Sequence, residues 1–304
     1  GPQAPVAEAI SHVSTIISLR LFQLPLISAR ALDSAYKGSW LDAHKGQEIF
    51  CDFVGQRGTP SDDLSRLCVL RDLELLRTFF GQRLLLRSLG DAAQIIPTKP
   101  ELGASAEEVL KGLAALRDNG EINMALAMKL TDIDNAVEPS DEDTKNFIAE
   151  IQESELPAWE KLSSVLVEGL RKRGLENQVK WFWSTGGITK PYGVLAGTLS
   201  SRTTWRYAPS DEALTALLMM CFIESDGNRT SKRLPIREVI RRLRERFGLL
   251  IDEPPVDFDS ADARAACSQN LNAFTDRLQL LGCFEGLSDD FSAQCVTRPR
   301  AAVQ

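Results

Sequence analysis

The sequence predicts a mainly α-helical protein with a helical N-terminal body, a β-hairpin near 193–207 and a C-terminal module that resembles a known fold. Three observations carry this. Apolar residues recur at three- and four-residue spacing through most of the first 175 residues, which lines one face of a helix. Thr203, Thr204, Trp205 and Tyr207 favour a pleated surface. From residue 211 onward the pattern is helix, helix, helix and then a tight hairpin.

Each element has its own signal. Val13, Ile16, Ile17, Leu21 and Leu24 give residues 6–34 one apolar helix face, and Pro25 is expected to end or kink that helix. The apolar stretch 16–27 is interrupted by Arg20 and Pro25 and falls short of the roughly 20 apolar residues of a membrane span, so a buried helix is expected and no membrane partner. Residues 61–89 form the clearest helix. Ser61 caps it, Asp62 and Asp63 suit the positive end of its dipole, and Leu64, Cys68, Leu75, Phe79 and Leu86 make its stripe. Gly90 is placed to stop it, and Gly81 argues against one unbroken rod.

Pro97 and Pro100 mark 90–104 as a loop, and Ser105 with Glu108 forms a capping box for a helix over 105–118. Asp118-Asn119-Gly120 makes a turn before a short helix through Leu130. Residues 132–160 hold ten acids against Lys145 alone, yet Phe147, Ile148 and Ile151 supply an apolar face, so a helix is expected there. Pro157 opens another helix, expected to end near Gly174. Strands over 193–199 and 203–207, turned by Ser200-Ser201, form the hairpin.

In the C-terminal part, residues 211–224 read as an apolar helix and 225–233 as a polar loop. Pro235 sits at a first helical position and Gly248 stops the helix after Phe247. A connection over 249–260 contains Pro254-Pro255, a long helix covers 261–281, and strands over 282–285 and 291–296 flank a turn at 287–290. The run Leu278-Gln279-Leu280-Leu281-Gly282-Cys283-Phe284-Glu285 through Ser292-Ala293-Gln294-Cys295-Val296, where a helix ends at Gly and passes into a hairpin, resembles a winged-helix domain over roughly 211–298. That resemblance implies a DNA-binding or protein-docking module. A groove-reading third helix follows a short turn. Here the joint runs over about ten residues, and the third helix sets Arg264 and Arg277 against Asp262 and Asp276. The expected organisation is an acidic helical domain (1–175), a connecting segment with the hairpin (176–210) and the winged-helix-like domain (211–304).

Composition sets the functional limits. A chain of 304 residues, 43% hydrophobic and 25% charged, is an ordinary globular protein with enough apolar material to offset chain entropy. Gly1-Pro2, with no initiator Met, reads as the scar of tag removal. Six cysteines lack CxxC spacing, and the two histidines, His12 and His44, lie far from the last four. Neither a zinc site nor any other cofactor is expected, and sparse thiols fit a reducing, cytoplasmic setting. Gly186-Gly187-Ile188-Thr189-Lys190 does not match P-loop spacing, and no GxSxG or HExxH occurs. Asp141, Glu142 and Asp143 are adjacent and would point apart on a helix, which disfavours a shared metal. A non-catalytic role follows.

The net charge is -7, but it is unevenly spread: residues 1–170 carry -10, residues 171–246 carry +8, and residues 247–304 carry -5. Phosphate binding needs a local basic surface rather than a basic average. The candidate contacts are Lys232, Arg233, Arg237, Arg241 and Arg244 on and before the second helix, with Lys190, Arg202, Arg206 and Trp205 around the hairpin. Cations interleaved with aromatics suit a nucleic-acid strand. The leading expectation is a DNA-binding subunit of a larger bacterial assembly, of a kind that would suit DNA modification or antiviral defence. The alternative is a protein–protein scaffold that docks through the winged-helix-like module, with an acidic protein surface or another subunit as partner.

Overall fold

The computed structural model describes residues 6–36, 47–93, 119–224, 227, 230–285 and 294–299. It is mainly helical, as the periodicity predicts. The elements are α1 (Val6–Tyr36), β1 (Ile49–Phe50), α2 (Pro60–Ala93), α3 (Gly120–Ala136), α4 (Glu142–Glu153), α5 (Ala158–Gly186), β2 (Leu195–Thr198), β3 (Ser201–Tyr207), α6 (Asp211–Cys221), β4 (Arg233–Pro235), α7 (Ile236–Phe247), β5 (Leu249–Leu250), α8 (Ala261–Leu280), β6 (Phe284–Glu285) and β7 (Cys295–Thr297). A single 3-10 turn, Val256–Phe258, precedes α8. The helix expected over 105–118 and the turn at 287–290 lie outside the described residues.

Three expected stops are overrun: α2 continues past Gly90 to Ala93, and packing overrides the other two. Pro25 lies inside α1 and does not end it. Its neighbours Phe22 and Leu26 are fully buried, and that burial outweighs the roughly 3 kcal/mol that an interior proline costs. Likewise α5 runs through Gly174 to Gly186, because Val179 and Phe182 beyond the glycine are buried. Gly81 does not interrupt α2. A Cβ there would sit 2.2 Å from Val167 Cγ2, so the missing side chain lets α2 and α5 approach.

The chain divides into two compact units. One is assembled from residues 1–23, 46–72 and 180–304, the other from 24–45 and 73–179, because the divisions fall inside α1, α2 and α5. The second unit is a helical cluster in which Leu85 of α2, Ile122, Leu126 and Leu130 of α3, Ile148 of α4, and Leu162 and Val165 of α5 share one core. The acidic stretch therefore contains a packed helix. Asp141 caps α4, accepting from Thr144 N at 3.1 Å and Thr144 Oγ1 at 2.6 Å.

The first unit contains every strand among the described residues. β1 pairs in parallel with β5, Ile49 beside Leu249 and Phe50 beside Leu250. Gly248 ends α7 at φ 71°, and a Cβ there would lie 2.2 Å from Gln47 O, so only glycine lets this crossing form. β2 and β3 form the expected hairpin, and β4, β7 and β6 form a three-stranded antiparallel sheet in that order. Pro235, read as the first helical position, instead ends β4, and α7 begins one residue later at Ile236.

Buried polar groups tie these pieces together. Asp72 is fully buried and accepts from Tyr207 Oη at 2.6 Å, from Arg71 Nε at 2.8 Å and from Gln47 Nε2. Burial and the neighbouring Asp72 carboxylate push the Tyr207 phenol well above its ordinary range. Asn270 uses its whole amide: Oδ1 accepts from Phe53 N at 2.7 Å, and Nδ2 reaches Cys51 O at 2.8 Å and Ile251 O at 2.9 Å. Asp52, also buried, accepts from Ser61 Oγ at 2.7 Å and from Val54 N at 3.1 Å.

Asp72→Ala leaves the buried Tyr207 hydroxyl and Gln47 amide without that acceptor and removes one of the two carboxylates on Arg71, and should cost about 3–5 kcal/mol in urea unfolding. Tyr207→Phe, which removes one bond to a charged acceptor, should cost about 1.5–3 kcal/mol. Equal costs for the two would contradict a carboxylate that organises several donors.

Candidate nucleic-acid or protein interface

α7 carries the densest positive charge. Its buried row is Ile236, Val239, Ile240, Leu243 and Phe247, the stripe that the spacing predicts, and Arg237, Arg241 and Arg244 are exposed. The geometry around them shows where the charge goes. Arg241 lies between two acids, with Nη2 2.7 Å from Glu238 Oε1 and Nη1 2.5 Å from Glu245 Oε2. Arg242 donates from Nε to Glu238 Oε1 at 2.6 Å, from Nη2 to Glu224 Oε2 at 3.2 Å and from Nη1 to Cys221 O at 2.7 Å. Arg246 donates to Met220 O at 2.6 Å. Arg244 pairs with Glu253 and lies 3.7 Å from Glu48 Oε1. Arg233 and Arg237 also have interaction partners.

The acids register this pairing. The hydrogen bonds from Arg241, and then from Arg242, hold the Glu238 carboxyl down at about 2. The Ser231 hydroxyl and Arg242 lower the Glu224 carboxyl. Glu253 moves the other way, because burial outweighs the attraction of Arg244.

The hairpin residues divide by burial. Trp205 is 1% exposed; its ring lies parallel to Phe182 with centroids 6.2 Å apart, and Nε1 donates to Thr198 O at 2.8 Å. Its faces are taken up by the core. Arg206 is turned inward, with Nε 3.1 Å from Asp52 Oδ2 and 3.7 Å from Asp62 Oδ1. Arg202, Lys190 and Lys232 are exposed. Lys190 and Thr189 line an open cleft of about 510 Å³ with Pro191, Ser210 and Glu212. Thr189 holds φ 63°, unusual for a β-branched residue. The structure thus brings Arg237, Arg241 and Arg244 together on one helix, and leaves Lys190 in the segment before β2 and Arg202 on β3.

The acidic partners were the part that charge counting missed. Glu238 with Arg241 and Arg242, and Arg241 with Glu245, stand three or four residues apart, a spacing that puts side chains in reach on a helix. Glu48, Glu224 and Asp52 come from distant stretches and leave no local signal.

Among the described residues no group of three side chains could hold a metal ion. Burial pushes the thiols of Cys68, Cys221 and Cys267 up to about 12, and Cys51 higher still. Only Cys295 is partly exposed. A thiol reagent such as DTNB should therefore react quickly with no cysteine other than Cys295 in the folded protein, and with all six after unfolding; rapid labelling of Cys68 would contradict this.

A depressed carboxyl stabilises the fold above its unfolded value and loses that contribution as pH falls through its folded value. Between about pH 4.5 and 2 the chain should therefore lose stability in proportion to such groups, and Glu238→Gln should flatten that part of the curve. An unchanged acid limb in the variant would place Glu238 outside the pairing network.

Comparison with curated proteins and with solved structures gives no match. A family model does match, over residues 3–300: that of methylation-associated defense system protein MAD7. That match covers nearly the whole chain, both units included, and on it the chain belongs to the MAD7 family of methylation-associated defense system proteins.

Proposed function

We propose that the chain is a binding subunit of a multi-component defence system and that its C-terminal module, over roughly 211–298, serves as a winged-helix-like docking domain for another protein of that system. The observation that carries this reading is the pairing on α7. Arg241, Arg242, Arg244 and Arg246 are tied to carboxylates or carbonyls of the same unit, and Arg237 also has a partner, so the helix presents a surface of both signs rather than a cationic one. Such a surface suits a protein partner, where charge complementarity sets register and specificity. The order α6, β4, α7, α8, β6, β7 with sheet order β4-β7-β6 supports the winged-helix assignment. The third helix adds to it: Arg264 is held by Asp259 and Arg277 by Asp211, which leaves α8 without a cationic reading face. Family membership supports the defence setting.

DNA contact is the second reading, favoured by the exposure of Lys190, Arg202 and Lys232. Those residues, with Arg237, Arg241 and Arg244, would track phosphates from a cytoplasmic complex.

The two readings differ in salt dependence. An arginine already paired with a carboxylate displaces no counterions from DNA unless that pair breaks. Fluorescence anisotropy with duplex and single-stranded DNA should give weak binding with a shallow salt slope for the native chain. Glu238→Gln with Glu245→Gln should raise the affinity about tenfold by releasing Arg241. Tight binding by the native chain with a steep salt slope, abolished by Arg241→Glu and Arg244→Glu, would overturn the docking reading in favour of DNA.

A further inference from the structure

The N-terminal helix presents two apolar rows, and the fold uses one. Leu19, Phe22, Leu26 and Ala29 are buried. Val6, Ile10, Val13, Ile17, Leu21 and Leu24 are 52–76% exposed. These six follow steps of three and four residues across 18 residues, the 3.6-residue period, so the row runs straight along one side of α1 for about 27 Å. Single exposed aliphatics are ordinary, but a continuous row of this kind presents on the order of 600 Å² of apolar surface, the upper end of what a monomer leaves open.

We infer that this row is a self-association surface at which α1 packs antiparallel against α1 of a second copy of the chain. Three features select that occupant. First, the row nearly reproduces itself under a two-fold axis at position 15: Val6 meets Leu24, Val13 meets Ile17, and Ile10 meets Leu21 within one residue. An isologous interface requires that self-complementarity. Second, two such rows bury roughly 1,200 Å², the lower bound for a specific interface. Third, the seam carries no charge that would oppose a like chain. The formal charges between Val6 and Leu24 are Glu8, near the end of the row, and Arg20, whose guanidinium is drawn back to Arg246 O, to Gln23 Oε1 at 3.2 Å and over the Phe247 ring at 5.7 Å. Flanking charges are the usual means of choosing a different partner helix, and beyond Glu8 and Arg20 this row has none.

The length and apolarity of residues 9–32 would by themselves also suit a membrane-spanning helix. The buried row belongs to the protein core, however, and leaves only one side for any outside contact.

Sedimentation equilibrium of the full chain, with and without phosphatidylcholine vesicles, tests the assignment. The native chain should sediment at twice its own mass, and Val13→Glu with Ile17→Glu should weaken the dimer at least about a hundredfold, since each substitution buries an unpaired charge in the seam. Both side chains are already exposed, so circular dichroism and melting of the diluted monomer should be unchanged; Val13→Ser with Ile17→Ser is the milder pair and should shift the equilibrium the same way. A native chain that stays monomeric at about 100 μM, where a 1 μM dimer would be nearly complete, overturns the proposal. So does a dimer that survives both pairs of substitutions, or a monomer that floats with vesicles and loses that binding in the Glu pair.

Discussion

A carboxylate removed from water must find its cation and its donors within the protein, and Asp72 imposes that requirement on the elements around it. Tyr207 ends β3, Gln47 leads into β1 and Arg71 precedes Asp72 on α2, so one buried charge fixes the positions of three separate stretches. Arg71 then reaches onward to Glu48 O at 2.6 Å and to Asp257 at 3.1 Å, which brings in the segment before α8. Asn270 and Asp52 extend the same pattern. β1 and β5 are two residues each, and hydrogen bonds of that number would hold little; the polar side chains beside them fix the crossing.

The same pairing governs the surface that could bind a partner. Arginines in this unit are cross-braces as well as charges: Arg242 links α7 to the end of α6, Arg246 does so through Met220 O, and Arg206 turns back to Asp52. A count of bases and acids over 171–246 gives a strongly cationic block, whereas the fold offsets part of it with acids drawn from outside that block, among them Glu48, Asp52 and Glu253. What a partner meets is a patterned surface of both signs. That is the physical basis for favouring a protein partner within the defence system.

Periodicity revealed those parts of the fold that depend on one helix at a time. The buried row of α7 and the acidic helix around Ile148 could both be read from local spacing. The cap of α2 falls elsewhere than expected: the helix begins at Pro60, Thr59 Oγ1 accepts from Asp62 N at 3.3 Å, and the Ser61 hydroxyl donates to Asp52 instead. α1 was harder. Val13, Ile17, Leu21 and Leu24 form a convincing stripe in sequence, yet they are the exposed row, and Leu19, Phe22 and Leu26 face the core. A helix that is apolar on two sides contains no local information about which side the rest of the chain will cover. Pro25 and Gly174 misled for a related reason, since their local costs are small beside the burial that surrounds them. The site was legible as a set of cations and illegible as a set of pairs, because Asp52 and Arg206, or Arg244 and Glu48, meet only after folding.

The central claim is that these arginines are committed to internal acceptors. Nitrogen-15 NMR of the arginine Nε–H groups tests it most directly, since Arg71, Arg241 and Arg242 each donate that proton to a carboxylate, at 2.8, 2.8 and 2.6 Å. Committed groups should give sharp, slowly exchanging resonances that excess duplex DNA leaves in place. Rapid exchange with water for Arg241 and Arg242, or their displacement on adding DNA, would contradict the account and return the basic block to the role of an open phosphate-binding surface.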